Sequence, residues 1–187
     1  MSVTPLCASI INGKINASKL LLESGACPIK IGQGGLPMQW AVKRNDIDTI
    51  KLLIDYGADA NDLADGRGSS MHTAVANDNI DMVKWLLDNG ARIDHMGTTM
   101  ALSTAVAKNN FPIVNLLLSR GVDVNACTNK LKPALHAAAR FGHNDMVTML
   151  IDIGATSEPD IYGKTPLQYA MCNKHTSTCK ILIDAFG

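Results

Sequence analysis

The order of apolar and polar residues between positions 69 and 91 predicts two short helices joined by a tight turn. Met71, Ala74 and Val75 recur at i, i+3 and i+4, which places one apolar stripe on a first helix. The pair Asp78–Asn79 is a turn signal that separates this helix from a second one. The second helix is expected to point four apolar side chains inward: Ile80, Val83, Leu86 and Leu87. Neither helix can bury its stripe alone, so each pair must pack against neighbouring pairs.

The same pattern recurs along the whole chain. Six glycines follow aliphatic runs at spacings of 31 to 33 residues: Gly25, Gly57, Gly90, Gly121, Gly154 and Gly187. A glycine at this place supplies the positive φ that the C-terminus of a helix requires. A near-constant period of this length is the signature of stacked repeats. We therefore expect a single domain over residues 1–187, with repeats at about 1–29, 30–61, 62–94, 95–125, 126–157 and 158–187.

Several segments carry a family resemblance. Thr165-Pro166-Leu167 and the run from Pro133 to His143 are similar to the Thr-Pro-Leu-His and Ala-Ala-x-x-Gly-His motifs of ankyrin repeats. Segments 57–61 and 121–125 resemble the entry to the ankyrin finger, the loop that joins one repeat to the next. The resemblance covers residues 4–187 and implies an all-α solenoid of antiparallel helix pairs with projecting finger loops or β-hairpins. It also implies a role in protein–protein binding.

The chain departs from the family pattern in places. The signature histidine occurs only at His72 and His136, and the resemblance implies that both bond within the turn before the first helix. The finger around residues 95–98 is two residues short. Terminal repeats usually need a polar outer face. The candidates for this role are Asn16, Ser18 and Lys19 at one end and Thr176, Ser177, Thr178 and Lys180 at the other.

Composition narrows the class of protein. The hydrophobic content of 47% fits a globular chain, and the formal net charge of zero gives no bulk attraction to nucleic acid or to an anionic membrane. The N-terminus lacks the pattern of a signal peptide, and no apolar stretch approaches the length of a membrane span. Five scattered cysteines indicate reduced thiols. We expect a cytoplasmic protein, with the nucleus as the alternative.

The side of the first helices that ankyrin proteins commonly use for binding carries two recurring slots. The first slot reads Ala8, Trp40, Thr73, Thr104, Ala137 and Tyr169. The second slot, four residues later, reads Asn12, Arg44, Asn77, Lys108, Phe141 and Asn173. A spacing of four puts each pair on one helical face, so that Trp40 and Arg44 are placed to stack as a cation–π pair. Aromatic residues and arginine dominate binding hot spots. The predicted partner-binding residues are therefore Trp40, Arg44, Asn77, Lys108, Phe141 and Tyr169.

The same aromatic residues also allow a structural interpretation. In this alternative, Trp40, Phe141 and Tyr169 pack sideways into a neighbouring helix and bind no partner. Trp85 differs from them because it occupies a second-helix slot that other repeats fill with aliphatic residues, and there we expect core packing.

Charge is unevenly distributed between the two sides of the repeats. The predicted fingers and first helices comprise residues 1–13, 30–45, 62–78, 95–109, 126–142 and 158–174, with ten basic and five acidic residues. This excess predicts a mildly basic concave surface that prefers an acidic or phosphorylated segment of a partner protein. Part of the asymmetry has a local cause, since Asp46, Asp81 and Asp145 lie where a helix dipole favours a carboxylate.

The residues needed for catalysis do not converge in any repeat. No nucleophile, base and polarising group recur at matching positions, and no Cys-x-x-Cys pair is present for zinc. Segment 32–35 is glycine-rich but lacks the lysine and hydroxyl residue of a phosphate loop. We expect no enzyme activity, no cofactor and no metal site. Asn125 follows Leu117 and Val124 in a context that resembles the one in which an asparaginyl hydroxylase modifies ankyrin repeats.

These observations predict a non-catalytic, monomeric module that binds a peptide or a folded protein on its concave finger and first-helix surface. The alternative is an adaptor or pathogen effector whose repeats recruit a substrate for another active domain, for example in ubiquitin-ligase recruitment. Neither nucleic acid nor a membrane is an expected partner.

Overall fold

The computed structural model describes residues 3–32, 35–59, 61, 63–64, 68–92, 96–126 and 133–187. Compactness divides the chain into two units, Met1–Arg92 and Ile93–Gly187. Each unit contains three helix pairs. The expectation of one domain over residues 1–187 stays a prediction.

The first unit contains three helix pairs. Its elements are α1 (Pro5–Ile11), α2 (Ile15–Glu23), α3 (Pro37–Lys43), α4 (Ile47–Asp55), β1 (Leu63–Ala64), β2 (Gly68–Ser69), α5 (Ser70–Ala76) and α6 (Ile80–Asp88). The first helices of the pairs pack in a row, α1 on α3 and α3 on α5, and each second helix packs on its own first helix. Strands β1 and β2 form a short antiparallel ladder that joins the second and third pairs. A β-hairpin finger is therefore present here.

The second unit repeats the arrangement. Its helices are α7 (Met96–Ala107), α8 (Phe111–Ser119), α9 (Ala134–Phe141), α10 (Asn144–Asp152), α11 (Pro166–Cys172) and α12 (Thr176–Phe186). Helix α9 packs between α7 and α11, and α10 packs on α12. The prediction of stacked antiparallel helix pairs is confirmed. By analogy with the other repeats, the sequence predicts that the fourth first helix begins near Met100. This start is wrong, since α7 begins at Met96 and includes residues that the other repeats use for the finger.

Side-chain caps fix where many helices begin. The hydroxyl oxygens of Thr4, Ser69 and Thr165 accept hydrogen bonds from backbone N–H groups in the first turns of α1, α5 and α11. Asp46, Asn79 and Asn110 do the same for the second helices α4, α6 and α8. These short polar side chains fix the first residue of each of these six helices, which keeps the period regular.

The turn inside every helix pair contains one residue in the left-handed conformation. The six residues at this place have φ between +55° and +71°: Gly13, Asn45, Asp78, Asn109, Gly142 and Lys174. Glycine, asparagine and aspartate tolerate this conformation, whereas a lysine costs about 1 kcal/mol or more there. Lys174 is thus the one member of this set whose side chain does not suit its backbone.

The core follows the predicted stripe of the first helices. Met71, Ala74 and Val75 are buried as expected, and so are the equivalent residues of the neighbouring pairs. The inward face of α6 is partly mispredicted, because Met82 joins Val83 and Leu86 in the interior. Ile80, in the first turn, is 39% exposed, and Leu87 is half-buried.

Two further expectations about burial are wrong. Trp85 is only half-buried, since its slot lies on the outer flank of the second helices. Ser18 and Thr178 do not form polar outer faces, because both are buried and hydrogen-bonded. The Ser18 hydroxyl lies 2.8 Å from that of Ser9, and Thr178 donates to the Asn144 side chain at 2.7 Å.

A matched pair of leucine substitutions tests the core assignment. Leu86 is fully buried, whereas Leu20 is 64% exposed. We expect Leu86→Ala to lower the free energy of unfolding by about 2–5 kcal/mol, because it removes buried methyl groups and leaves a cavity. Leu20→Ala should change it by about 0.5 kcal/mol or less. Urea unfolding followed by circular dichroism measures both; equal effects would contradict the assignment.

The strained turn at Lys174 gives a second stability prediction. Lys174→Gly should raise the free energy of unfolding by about 1 kcal/mol, because glycine adopts the φ of +61° without a steric cost. The control is Lys180→Gly inside α12, which should lower it by about 1 kcal/mol. Thermal melts of the two variants should therefore shift in opposite directions. A loss of stability in Lys174→Gly would refute the strain.

Candidate partner-binding surface

The two predicted contact rows on the first helices differ in exposure. The row that includes Trp40 is half-buried in five repeats and buried in the sixth. The row four residues later, here called the cap row, lies at the C-terminal ends of the first helices. Its residues are exposed in all six repeats: Asn12, Arg44, Asn77, Lys108, Phe141 and Asn173. The cap row is therefore the more accessible of the two.

Trp40 lies on α3 with a cation over its ring. The Lys43 ammonium is 5.1 Å from the ring centroid, a distance at which a cation–π attraction acts. The expected stack of Arg44 on Trp40 is corrected, since Lys43 takes that place. The indole N–H of Trp40 is buried and has no hydrogen-bond partner among the described residues. The half-burial also means that replacing Trp40 would affect stability as well as any contact surface.

Arg44 is held against the preceding repeat. Its guanidinium donates a hydrogen bond to the carbonyl of Ile11 at 2.8 Å. The same group lies directly over Gly13, where a Cβ atom would collide with it. The side chain is exposed, and no carboxylate pairs with it among the described residues. Arg44 therefore presents a positive charge in a fixed position.

Phe141 forms the exposed apolar part of the second unit's cap row. The side chain is 49% exposed and stacks on His143, with ring centroids 5.9 Å apart and planes at 18°. The Arg140 guanidinium lies 5.6 Å from the Phe141 ring. His143 is fixed in turn, because its Nε2 lies 3.0 Å from the carbonyl oxygen of Ala107 in the preceding repeat. An aromatic ring beside a cation on rigid backbone is the kind of anchor found at binding hot spots.

Asn77 and Lys108 are the other exposed members of the predicted set. The backbone N–H of Asn77 donates to the carbonyls of Thr73 and Val75, so it caps α5. Lys108 follows α7, and its backbone N–H donates to Thr104 at 3.0 Å. In both residues, the main-chain N–H donates the hydrogen bond that completes the last turn of the helix.

Tyr169 does not lie on the surface, so its assignment as an exposed contact residue is corrected. It is only 9% exposed. Its hydroxyl donates a hydrogen bond to the Asp160 carboxylate at 2.9 Å, and its ring meets His136 edge-on at 5.9 Å between centroids. Asp160 also accepts from the backbone N–H groups of Tyr162 and Lys164 at 2.9 and 3.0 Å. The tyrosine therefore anchors the finger before α11 to the helix.

This network changes the ionisation of both partners. Burial opposes ionisation of Asp160, but the hydrogen bonds from Lys164, Tyr169 and Tyr162, with the nearby His136, leave the pKa of the carboxyl lowered. Burial and the bond to the Asp160 carboxylate together raise the pKa of Tyr169. At neutral pH the pair is a charged acceptor and a neutral donor, which is the arrangement that the contact requires.

The signature histidines lie in different surroundings. His136 is buried, and its Nε2 lies 3.0 Å from the carbonyl oxygen of Lys164, which belongs to the turn before α11 in the following repeat. This contact joins two repeats, and the contact implied within the turn before its own helix stays a prediction. His72 is half-buried, and burial lowers its pKa.

Asn125 binds two segments of backbone together. Its side-chain amide donates to the carbonyl of Gly154 at 3.0 Å, and its oxygen accepts from the N–H of Thr156 at 2.9 Å. Asn61 makes the same two contacts in the first unit, with Gly90 and Arg92. Asn125 thus has a structural role, and its hydroxylation stays a prediction.

The part of the chain that the structure describes contains neither a metal-binding cluster nor a membrane-spanning helix. No group of three or more His, Cys, Asp or Glu side chains in that part is arranged to hold a metal ion. None of its helices combines the length and apolar character needed to cross a bilayer. Some charges counted toward the predicted basic surface, including those of Arg67, Lys130 and Lys132, fall outside the described residues.

The helix pairs, their left-handed turns and their finger connections define a repeat protein with exposed first-helix ends. Comparison with protein families agrees: the family described as "Ankyrin repeats (3 copies)" matches residues 1–64, 28–97 and 102–187. The chain therefore belongs to the ankyrin-repeat family, whose members are generally protein–protein interaction modules and typically non-catalytic. No curated protein matches the chain.

The Asp160–Tyr169 contact predicts a pH-dependent contribution to stability. Because the pKa of Asp160 is lower in the folded chain, this contribution is present above the ordinary value of about 3.9 and is lost as the pH falls through the folded value. Tyr169→Phe should lower the free energy of unfolding by about 1–2 kcal/mol at pH 7. The difference from wild type should shrink toward pH 3. Urea unfolding across this range measures it, and a difference independent of pH would contradict the role of the charge.

Proposed function

We propose that this protein is a non-catalytic interaction module that binds a peptide or folded protein through the finger and first-helix surface of its repeats. The observation that carries the proposal is the exposure of the cap row in all six repeats. Its side chains include a cation, Arg44, held in place by the preceding repeat, and an exposed ring, Phe141, beside a second cation. Preorganised side chains lose little entropy on binding, which favours affinity.

The charges of this surface support a partner with an acidic or phosphorylated segment. Lys43, Arg44 and Arg140 are exposed and form no ion pair among the described residues. An approaching carboxylate or phosphate would therefore meet cations that the fold has not already neutralised. We further propose that the protein acts as a monomer in the cytoplasm, where the described thiols Cys7, Cys27, Cys172 and Cys179 stay reduced.

A comparison of matched variants tests the surface. Immobilised wild-type protein would capture partners from a lysate, followed by identification and affinity measurement of each captured protein. Phe141→Ala should weaken the binding of a genuine partner by about 1 kcal/mol or more, which is a fivefold or larger rise in Kd. The control is Ile153→Ala, because Ile153 is similarly exposed but follows a second helix, α10. Equal loss in both variants would reject the first-helix surface.

A charge pair tests the acidic character of the partner. Lys43→Glu should slow association and make it less dependent on salt, because the removed cation contributes to long-range attraction. Lys51→Glu, the same change on the exposed side of α4, should leave the rate close to wild type. Association rates for the captured partner at low and high salt measure this. A wild-type rate that salt leaves unchanged would remove the electrostatic part of the proposal.

A further inference from the structure

Asparagine followed by glycine occurs twice in this chain, at Asn12–Gly13 and at Asn89–Gly90. Asparagine is a chemically labile residue, and a following glycine leaves its own backbone nitrogen accessible because it has no Cβ atom. That nitrogen can attack the side-chain amide carbon, which closes a cyclic succinimide and releases ammonia. Both asparagines are exposed, and each comes directly after a helix, α1 or α6. The two sites are thus matched, and their surroundings decide which of them reacts.

Neither site can react while its turn is closed. The backbone angle ψ is 4° at Asn12 and 27° at Asn89, so the glycine nitrogen points away from the asparagine side chain. Each side-chain amide also donates to a helix carbonyl at 2.8 Å, that of Ala8 or that of Trp85. The rate of the reaction therefore depends on how often each turn opens.

The turn at Gly13 is held closed by two contacts. Its backbone N–H donates to the carbonyl of Ile10 at 2.9 Å. The guanidinium of Arg44 lies over Gly13 and donates at 2.8 Å to the carbonyl of Ile11, immediately before Asn12. Opening of this turn therefore requires that a contact between two repeats also breaks. One additional hydrogen bond makes the open state about fivefold rarer.

The turn at Gly90 is held less firmly. Its backbone N–H lies 3.5 Å from the carbonyl oxygen of Leu87, at the outer limit for a hydrogen bond. The same distance is 2.9 or 3.0 Å in the equivalent turns of four other repeats, at Gly25, Gly57, Gly121 and Gly154. Apart from the chain neighbours of Gly90, no atom of a described residue comes within 4 Å of the point where a Cβ atom would lie. This turn therefore opens more readily than the turn at Gly13.

We propose that Asn89 is a site of spontaneous deamidation and that Arg44 protects Asn12 from the same reaction. The nitrogen of Gly90 forms a bond to Cγ of Asn89, the bond from Cγ to Nδ2 breaks, and ammonia leaves with the proton of the Gly90 N–H. Water then adds to either carbonyl of the succinimide, which yields aspartate or isoaspartate. Water is the only other reactant.

The product disturbs a contact that joins two finger regions. Asn61 donates to the carbonyl of Gly90 at 3.3 Å and accepts from the N–H of Arg92 at 2.8 Å. Isoaspartate at position 89 lengthens the main chain by one methylene group directly before these two residues. Either product also places a carboxylate at the C-terminal end of α6, where the helix dipole disfavours a negative charge. Deamidation therefore weakens the third helix pair and its contact with Asn61.

Incubation of the folded chain in water enriched in heavy oxygen measures both sites at once. Each deamidation incorporates one heavy oxygen atom, which peptide mass spectrometry assigns to Asn12 or to Asn89. At neutral pH we expect Asn89 to react about fivefold faster than Asn12, or more. In concentrated urea, where both turns are unfolded, the two rates should agree to within about twofold. Equal rates in the folded chain, or the same ratio in urea, would overturn the proposal.

The variant Arg44→Ala tests the protection of Asn12. It should raise the rate at Asn12 about fivefold relative to the rate at Asn89. The ratio of the two rates is the readout, because a general loss of stability raises both. The control is Lys43→Ala, which removes a neighbouring cation that lies over Trp40, and it should leave the ratio as in wild type. A ratio that Arg44→Ala leaves unchanged would refute the protective role of Arg44.

The separated product tests the effect on the fold. After ion exchange, the form deamidated at Asn89 should unfold at a lower urea concentration than the fresh chain. The variant Asn89→Gln should acquire no label at this position over the same incubation and should keep its unfolding midpoint. An unchanged midpoint in the deamidated form would show that the contact of Asn61 does not depend on the turn at Gly90.

Discussion

No helix pair of this protein can bury its apolar stripe by itself, and the rest of the structure depends on this constraint. A first helix of seven or eight residues, such as α5 or α9, offers one narrow stripe, and its partner helix covers only part of it. The adjacent pair of the same unit completes the burial, so that Val42, Val106 and Ala139 reach at most 1% exposure. Stability therefore comes from the contact between neighbours, as expected for a repeat protein.

The hydrogen bonds between repeats supplement this packing at places that the apolar stripe does not reach. Three side chains contact a carbonyl near the end of the preceding first helix: Arg44 contacts that of Ile11, His143 that of Ala107, and His175 that of Arg140. Asn61 and Asn125 join successive finger regions in the same way. Both kinds of contact satisfy backbone groups that a short helix or a loop leaves unpaired. They also fix the register of one repeat against the next.

The sequence predicts the period, the helix pairs and most of the core, because each of these depends on local spacing. The stripe of Met71, Ala74 and Val75 and the positive φ of Gly90 are examples. At the candidate surface, its errors concern contacts with residues outside the helix that carries the side chain. Tyr169 shares a slot with half-buried residues, and only the position of Asp160, nine residues earlier, turns it inward. Similarly, spacing alone placed Arg44 over Trp40, whereas the carbonyl of Ile11, 33 residues earlier, draws Arg44 away.

The cap row shows how the fold leaves room for variable binding chemistry. Residues such as Asn77 and Asn173 cap the first helix with their backbone N–H groups, so the fold does not require a particular side chain there. Asn12 and Asn173 use their side chains locally, each donating to the carbonyl four residues earlier at 2.8 Å. Phe141 instead projects its ring from the end of α9, half exposed. Where the backbone N–H completes the hydrogen bonding at the helix end, the side chain at that position is free to differ from repeat to repeat. Such positions are where a repeat protein can acquire a specific partner without loss of its fold.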